Sequence, residues 1–239
     1  MLTSIKVLLV APVIGVMATS GLQQDRIAMR IVDPTTESIT LHWKNDSDRV
    51  MGNIASLDRC LQRQGRTLRF AMNGGMYTRS QGPVGLYIED GRIIHPIDRR
   101  TDANDNFHMQ PNGVFGLYTN GRAFVRTTKD LQHMRDVRYA TQSGPMLVID
   151  GTPNKHFTPG SKNLNIRNGV GVLPDGRVLF GISREPVNFH DFASWFIEKG
   201  CEQALYLDGF VSKAFIPEEG LNDRDGELGV LIAVTEKQP

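Results

Sequence analysis

Four short runs share a layout that could do chemistry: an apolar stretch delivers glycine or polar residues at its end. They are Asn73-Gly74-Gly75 after RFAM, Ser143-Gly144-Pro145 after YATQ, Arg167-Asn168-Gly169-Val170-Gly171 after NLNI, and Leu207-Asp208-Gly209 after CEQALY. Glycines in such places let a ligand approach the backbone and leave N–H groups able to bind oxyanions. A tight turn explains any one of these runs taken alone. Asp208 adds an acid at the end of an otherwise apolar strand. Such an acid is poorly hydrated, so it must be paired, bound to an ion or tuned for function, with a turn-capping aspartate as the plainer alternative. Arg167 brings a planar fork that can hold two oxygens of one phosphate and stays charged at any relevant pH, although most arginines serve surface or structural ion pairs.

The elements that must position these residues are mostly short strands. Ile27 to Ile31 and Ser38 to Trp43 alternate like strands around a DPTT turn. Met51 to Gln64 places Ile54, Leu57, Cys60 and Leu61 at helical spacing and stops before Gly65, leading into the buried-type strand TLRFAMN. The runs VGLYIEDGRII, NGVFGLYTNGRAFV, PMLVIDG and GVGVLPDGRVLFGIS follow, and DG or NG turns between apolar residues mark hairpins. Asn188 caps a second helix running to Lys199, with Gly200 at its end, and ALYLDG is the next strand. Glu227 to Thr235 supplies a last strand. Hairpins mixed with helix-to-strand steps indicate an α+β fold: a single domain with a mixed, strand-rich sheet core and a few packed helices.

Composition narrows the function. In 239 residues, 27 Lys and Arg face 26 Asp and Glu, so no global field draws nucleic acid or an anionic membrane. An anionic substrate must be held by local groups. Residues 1–20 read as a signal peptide, with a basic start, a short apolar core from Val7 to Ala18 and small residues behind it, and residues 21–239 form the mature domain. A buried first strand or an uncleaved anchor is the competing reading. The expected location is periplasmic or secreted, with no membrane span after cleavage. Cys60 and Cys201 lie in no CxxC or metal-ligand pattern and are read as small buried hydrophobes. The six histidines form no HExxH or close pair, so no metal site is expected. The acid-rich stretches TDANDN and NDRDGE match no EF-hand loop; they read as solvated loops, with weak calcium binding left open. No cofactor is expected.

Taken in order, NGGMY, PVGLYIEDG, PNGVFG, ATQSGPML, IRNGVGVLPDGRVLFGIS and ALYLDGFVS resemble the phosphodiester glycosidase family, and most closely a bacterial exported branch. The resemblance spans roughly Asn73 to Ala214. Met76-Tyr77 replace the family's usual aromatic pair, and Phe210-Val211 replace the glycine that usually follows LDG, so the pocket beside Asp208 is expected to differ.

The resemblance implies hydrolysis of the bond between a sugar's anomeric carbon and a phosphodiester oxygen, with a glycan or small molecule carrying that group as substrate. Such a site needs anion binding, a carboxylate near the anomeric carbon and a second carboxylate for water. Asp208 and Arg167 are the expected catalytic pair. Asn73, Gly74, Gly75, Ser143, Gly144, Asn168, Gly169 and Ser212 are the expected substrate-binding residues. For the second carboxylate Asp191, Glu89, Asp175 and Asp150 are candidates, the last two sitting in hairpin turns. Tyr77, Phe115 and Phe189 are candidates to stack on a sugar face, or else core residues. Two other readings stay open: a non-catalytic domain that binds a phosphorylated glycan or envelope polymer, and a phosphodiesterase that breaks P–O.

Overall fold

A computed structural model describes residues 25–101, 105–208 and 211–236. The expected signal peptide and Phe210 therefore lie outside the described residues. Among the described residues no helix is long and apolar enough to cross a membrane.

Three antiparallel sheets make up the fold. The first has the order β1 (Ile27–Val32), β12 (Val178–Ser183), β11 (Asn168–Val172), β13 (Gln203–Asp208), β9 (Met146–Ile149) and β10 (Thr152–Pro153). The second runs β15 (Leu221–Asn222), β14 (Ala214–Ile216), β3 (Leu68–Asn73), β16 (Leu231–Glu236) and β2 (Glu37–His42). The third runs β5 (Arg92–His95), β4 (Tyr87–Glu89), β8 (Val137–Ser143), β6 (Gly113–Tyr118) and β7 (Ala123–Thr127).

The turn chemistry explains the hairpins. Asp90-Gly91 and Asp150-Gly151 adopt left-handed backbone at both positions (φ 48 and 78°, 49 and 72°), the geometry that twists with the strands it joins. Two helices complete the fold. Helix α1 (Ile54–Arg63) is capped by the Asn53 side chain, which accepts from the Ser56 N–H, and buries Ile54, Leu57, Cys60 and Leu61 on one face. Helix α2 (Phe189–Glu198) is capped by Asn188 and buries Phe189, Phe192, Ala193 and Phe196.

The expected mixed sheet is not observed: every strand pair is antiparallel among the described residues. The fold is mostly β, and α+β fits it loosely. Both helix-to-strand steps skip one position. Helix α2 carries the chain from β12 to β13 across β11, and α1 carries it from β2 to β3 across β16. The skipped position is filled by β11, the hairpin partner of β12, in one case and by β16 in the other, and each runs opposite to both neighbours, so no parallel pair forms.

A central core draws Phe70, Phe115, Phe180, Leu205, Leu207 and Ile232 from all three sheets. Helix α2 covers the outer face of the first sheet with Phe192 and Phe196, against Leu147, Leu179, Ala204 and Tyr206. Helix α1 covers the second sheet in the same way. Cys60 and Cys201 are both buried and free, and burial pushes the Cys201 thiol up to about 12.

Candidate active site

The ends of β3, β8 and β13 and the start of β11 meet at one edge of the first sheet. Because β11 and β13 are antiparallel, the start of one lies opposite the end of the other, and Asn168 pairs with Asp208. The Arg167 run thus begins a strand instead of ending one. Register shifts between Asn168 and Gly169, so Leu207 is an extra residue and the end of β13 carries a bulge. Bulges of this kind re-aim side chains and are frequent beside active sites.

Asn168 is the hub of the junction and is fully buried. Its Nδ2 donates to the Asn73 backbone carbonyl at 3.0 Å and to Asn73 Oδ1 at 2.9 Å, while its Oδ1 accepts from the Asp208 N–H at 2.8 Å. Asn73 Oδ1 also accepts from the Lys213 N–H at 2.9 Å. Asn73 Nδ2 is buried without a hydrogen-bond partner among the described residues. Ser212 Oγ donates to the Asp208 carbonyl at 2.7 Å, and Ser143 Oγ donates to the Leu207 carbonyl at 2.7 Å. Asp208, 6% exposed, is therefore fixed from both sides through its own and its neighbour's backbone.

Arg167 is 1% exposed. Its Nε donates to the Val187 carbonyl at 2.8 Å and its Nη2 to the Asn163 carbonyl at 3.0 Å. Its Cζ lies 3.6 Å from the Phe189 ring centroid and 5.6 Å from that of Tyr206. Phe157 stacks on Phe189 at 4.9 Å, and Met76 packs into the same apolar cluster. Among the described residues no carboxylate is within ion-pair distance of Arg167. Burial lowers the guanidinium's pKa, and the neighbouring Tyr206 hydroxyl offsets part of that. A buried cation left without an anion costs several kcal/mol, so an anionic ligand is the natural complement.

Two tyrosines border the acid. Burial raises the Tyr206 phenol well above its ordinary range; Arg167 opposes the rise and Asp208 adds to it. Tyr77 is raised by burial, then by the charges of Asp208 and Glu227. Its ring lies against the backbone at Gly229, where a Cβ would come within 2.5 Å of the Tyr77 Cβ. This brings Glu227, two residues away, to the same cluster.

Asn73, Ser143, Asn168, Asp208 and Ser212 thus converge, and Arg167 joins them through Tyr206. The expected roles of six residues change. The side-on fork of Arg167 is spent on carbonyls, Nε on Val187 and Nη2 on Asn163. The Gly74 N–H donates to the Val230 carbonyl at 2.8 Å and the Ser143 hydroxyl to Leu207, so neither is a free donor. Gly169 sits in the sheet, where a Cβ would meet the Leu205 carbonyl at 2.9 Å and the Phe196 ring at 3.2 Å; it lets α2 pack close. A Cβ on Gly144 would come 2.5 Å from the Phe107 carbonyl, while Gly75 (φ 158°) lies against Thr141, so their small size is needed for packing.

None of the four sequence candidates for a second carboxylate touches this cluster. Asp191 accepts from Asn188 at the start of α2, Glu89 accepts from the Tyr87 hydroxyl, Asp175 pairs with Arg177, and Asp150 accepts from Gln203. Phe115 belongs to the central core, edge-on to Phe180. Of the acidic stretches, TDANDN lies partly outside the described residues. In NDRDGE, Asp225 pairs with Lys213 and Arg224 with Asp58. Sequence reasoning missed Tyr206 and Glu227. Tyr206 had a signal, its place two residues before Asp208; Glu227 had none.

A buried arginine and a buried acid thus gather where strand ends meet on an antiparallel scaffold. The chain belongs to the phosphodiester glycosidase family, whose model matches residues 66–232. The uncharacterized protein YigE of Escherichia coli (strain K12) is 34% identical over 186 residues, 77% of this chain and 72% of that one. In fold, the chain is similar to the catalytic domain of zebrafish N-acetylglucosamine-1-phosphodiester alpha-N-acetylglucosaminidase auto-inhibited by its pro-peptide. The TM-score is 0.56 at 13% identity, covering 91% of this chain and 85% of that chain. A protein from Synechocystis gives a TM-score of 0.54 at 12% identity, covering 88% of this chain and 59% of that chain. At these identities the likeness is one of fold.

Proposed function

We propose that the protein is an exported hydrolase of sugar-1-phosphodiesters, cleaving the glycosidic C–O bond to phosphate. One observation carries the reading: Arg167, a buried cation with no carboxylate partner among the described residues, lies beside Tyr206 and through it Asp208. The substrate phosphate supplies the missing negative charge. Water adds to the anomeric carbon, the C1–O bond breaks with its electron pair passing to the phosphate oxygen, and the water's proton passes to solvent. Asp208 serves the anomeric centre, where positive charge develops in the transition state. Phosphate is a good leaving group, so the field of Arg167 stabilises the departing oxygen without a strong general acid. Asn73, with its unpartnered buried Nδ2, offers a hydrogen bond to the same substrate. The site works outside the cytoplasm, as the leader-like first twenty residues suggest.

The test is turnover of a panel of sugar-1-phosphodiesters in water labelled with heavy oxygen. Label in the sugar supports the reading. Label in the phosphate makes the protein a phosphodiesterase, and binding without turnover makes it a glycan-binding domain.

A further inference from the structure

We infer that the Tyr206 hydroxyl is a substrate contact, donating its proton to an anionic oxygen of the bound phosphate beside Arg167. The inference rests on the hydrolase reading and adds a residue to it. Three features of the geometry carry it. First, the ring cannot swing: Tyr206 is 1% exposed and stands edge-on to Phe189, with centroids 4.8 Å apart and planes at 85°. Its backbone is pinned as well, the N–H donating to the Pro145 carbonyl at 3.1 Å. Second, Arg167 has already spent Nε and Nη2 on two carbonyls, and what remains of its cation faces Tyr206. A guanidinium only donates, so it cannot accept the phenol proton, which must go to another partner. Third, among the described residues no protein acceptor takes that proton. The Asp208 carboxylate lies close enough for its charge to act on the phenol, but makes no hydrogen bond to it there. A phosphate oxygen supplies the acceptor that the protein does not.

The burial that raises the phenol's pKa also keeps it protonated at every physiological pH, so it is a donor throughout. Tyr206 and Asp208 flank the bulge at Leu207, which suits contacts to two neighbouring parts of one substrate.

The experiment is Tyr206→Phe, which removes the hydroxyl and keeps the ring against Phe189. Inorganic phosphate binding is measured by calorimetry and sugar-1-phosphodiester turnover by steady-state kinetics, with the melting temperature as a control. The expected result is a phosphate Kd raised at least tenfold and kcat/KM lowered about 100-fold at an unchanged melting temperature, the usual size for one lost donor to a developing oxyanion. Unchanged Kd and kcat/KM would overturn the inference and leave the hydrolase reading standing. A wild type that turns over no phosphodiester, together with a variant that loses phosphate, would sink the hydrolase reading and keep the Tyr206 contact. A wild type that binds no phosphate sinks both. Should the variant fail to fold, 3-fluorotyrosine placed at position 206 gives a second readout: its fluorine resonance must move on phosphate titration, and a fixed resonance counts against the contact.

Discussion

At one end of the first sheet β11 begins beside the end of β13, and there Arg167 and Asp208 are 1% and 6% exposed. At the other end β11 turns back into β12 and β13 starts. There Asp175 pairs with Arg177 in solvent, at 2.7 Å and about half exposed on both sides, and Asp150 accepts from Gln203. The residue types are the same at both ends, Asp before Gly and Arg nearby. What differs is the backbone. The far-end aspartates sit in hairpin tips, where Gly151 and Gly176 take left-handed backbone (φ 72 and 88°) and side chains fall into water. Asp208 instead closes a strand flanked on both sides, with a bulge before it and Asn168 across from it. Charge in water is cheap and does little; charge held dry is costly and must be answered.

Matched substitutions at the two ends test this contrast, and the largest effect is expected at the acids. Asp208→Asn should lower kcat on a sugar-1-phosphodiester at least about 1,000-fold while unfolding stays cooperative, within the range of a lost catalytic carboxylate. Asp175→Asn should change kcat less than twofold. Equal effects in steady-state assays would end the comparison.

The arginines come next, read as stability. Arg167→Ala leaves the Val187 and Asn163 carbonyls without their donor and uncovers Phe189, so denaturant unfolding should show a loss of about 3 kcal/mol. Arg177→Ala removes an exposed pair and should stay within about 0.5 kcal/mol of the parent. Asn168→Ala follows: it unties Asn73 from β13 and leaves the Asp208 N–H without its acceptor, for an expected loss of about 2 kcal/mol by the same measurement. A loss as small as that of Arg177→Ala would show that the hub does not hold the strand ends.

Much of this contrast is legible in the residues. The DG and NG turns, the Gly65 stop of the first helix, the Asn188-to-Gly200 limits of the second and the acid ending a buried strand are local chemistry, set by a few neighbours. Sheet direction was not legible, because β16 fills its position from far along the chain, and β11, though joined to β12 by a hairpin, also pairs with β13 beyond the second helix. Gly169 and Gly74 read as ligand-facing for the same reason. What crowds them, Leu205 and Phe196 for one and Ile232 for the other, arrives from far along the sequence. Arg167 was recognised as special, but the carbonyl of Val187, twenty residues on, takes part of its fork. Tyr206 stands two residues before Asp208, but ALYL reads as one more apolar strand, and only packing shows that this side chain lies beside the arginine.

The smallest effect is expected at Cys201, which sharpens the comparison from the inert side. It precedes β13 at the far end, wedged where a Cβ on Gly171 would meet its Sγ at 2.6 Å, and burial pushes its thiol up to about 12. At pH 8 the thiolate is therefore about 10,000-fold outnumbered by the thiol. A disulfide reagent added to the native protein at that pH should release almost no colour over minutes. After denaturation both cysteines should react, because Cys60 and Cys201 are free. No thiol after denaturation would reveal a bridge and contradict the packing at this end. Fast reaction in the native state would mean that the far end opens to water, and that the dryness of the Asp208 end is not peculiar to it.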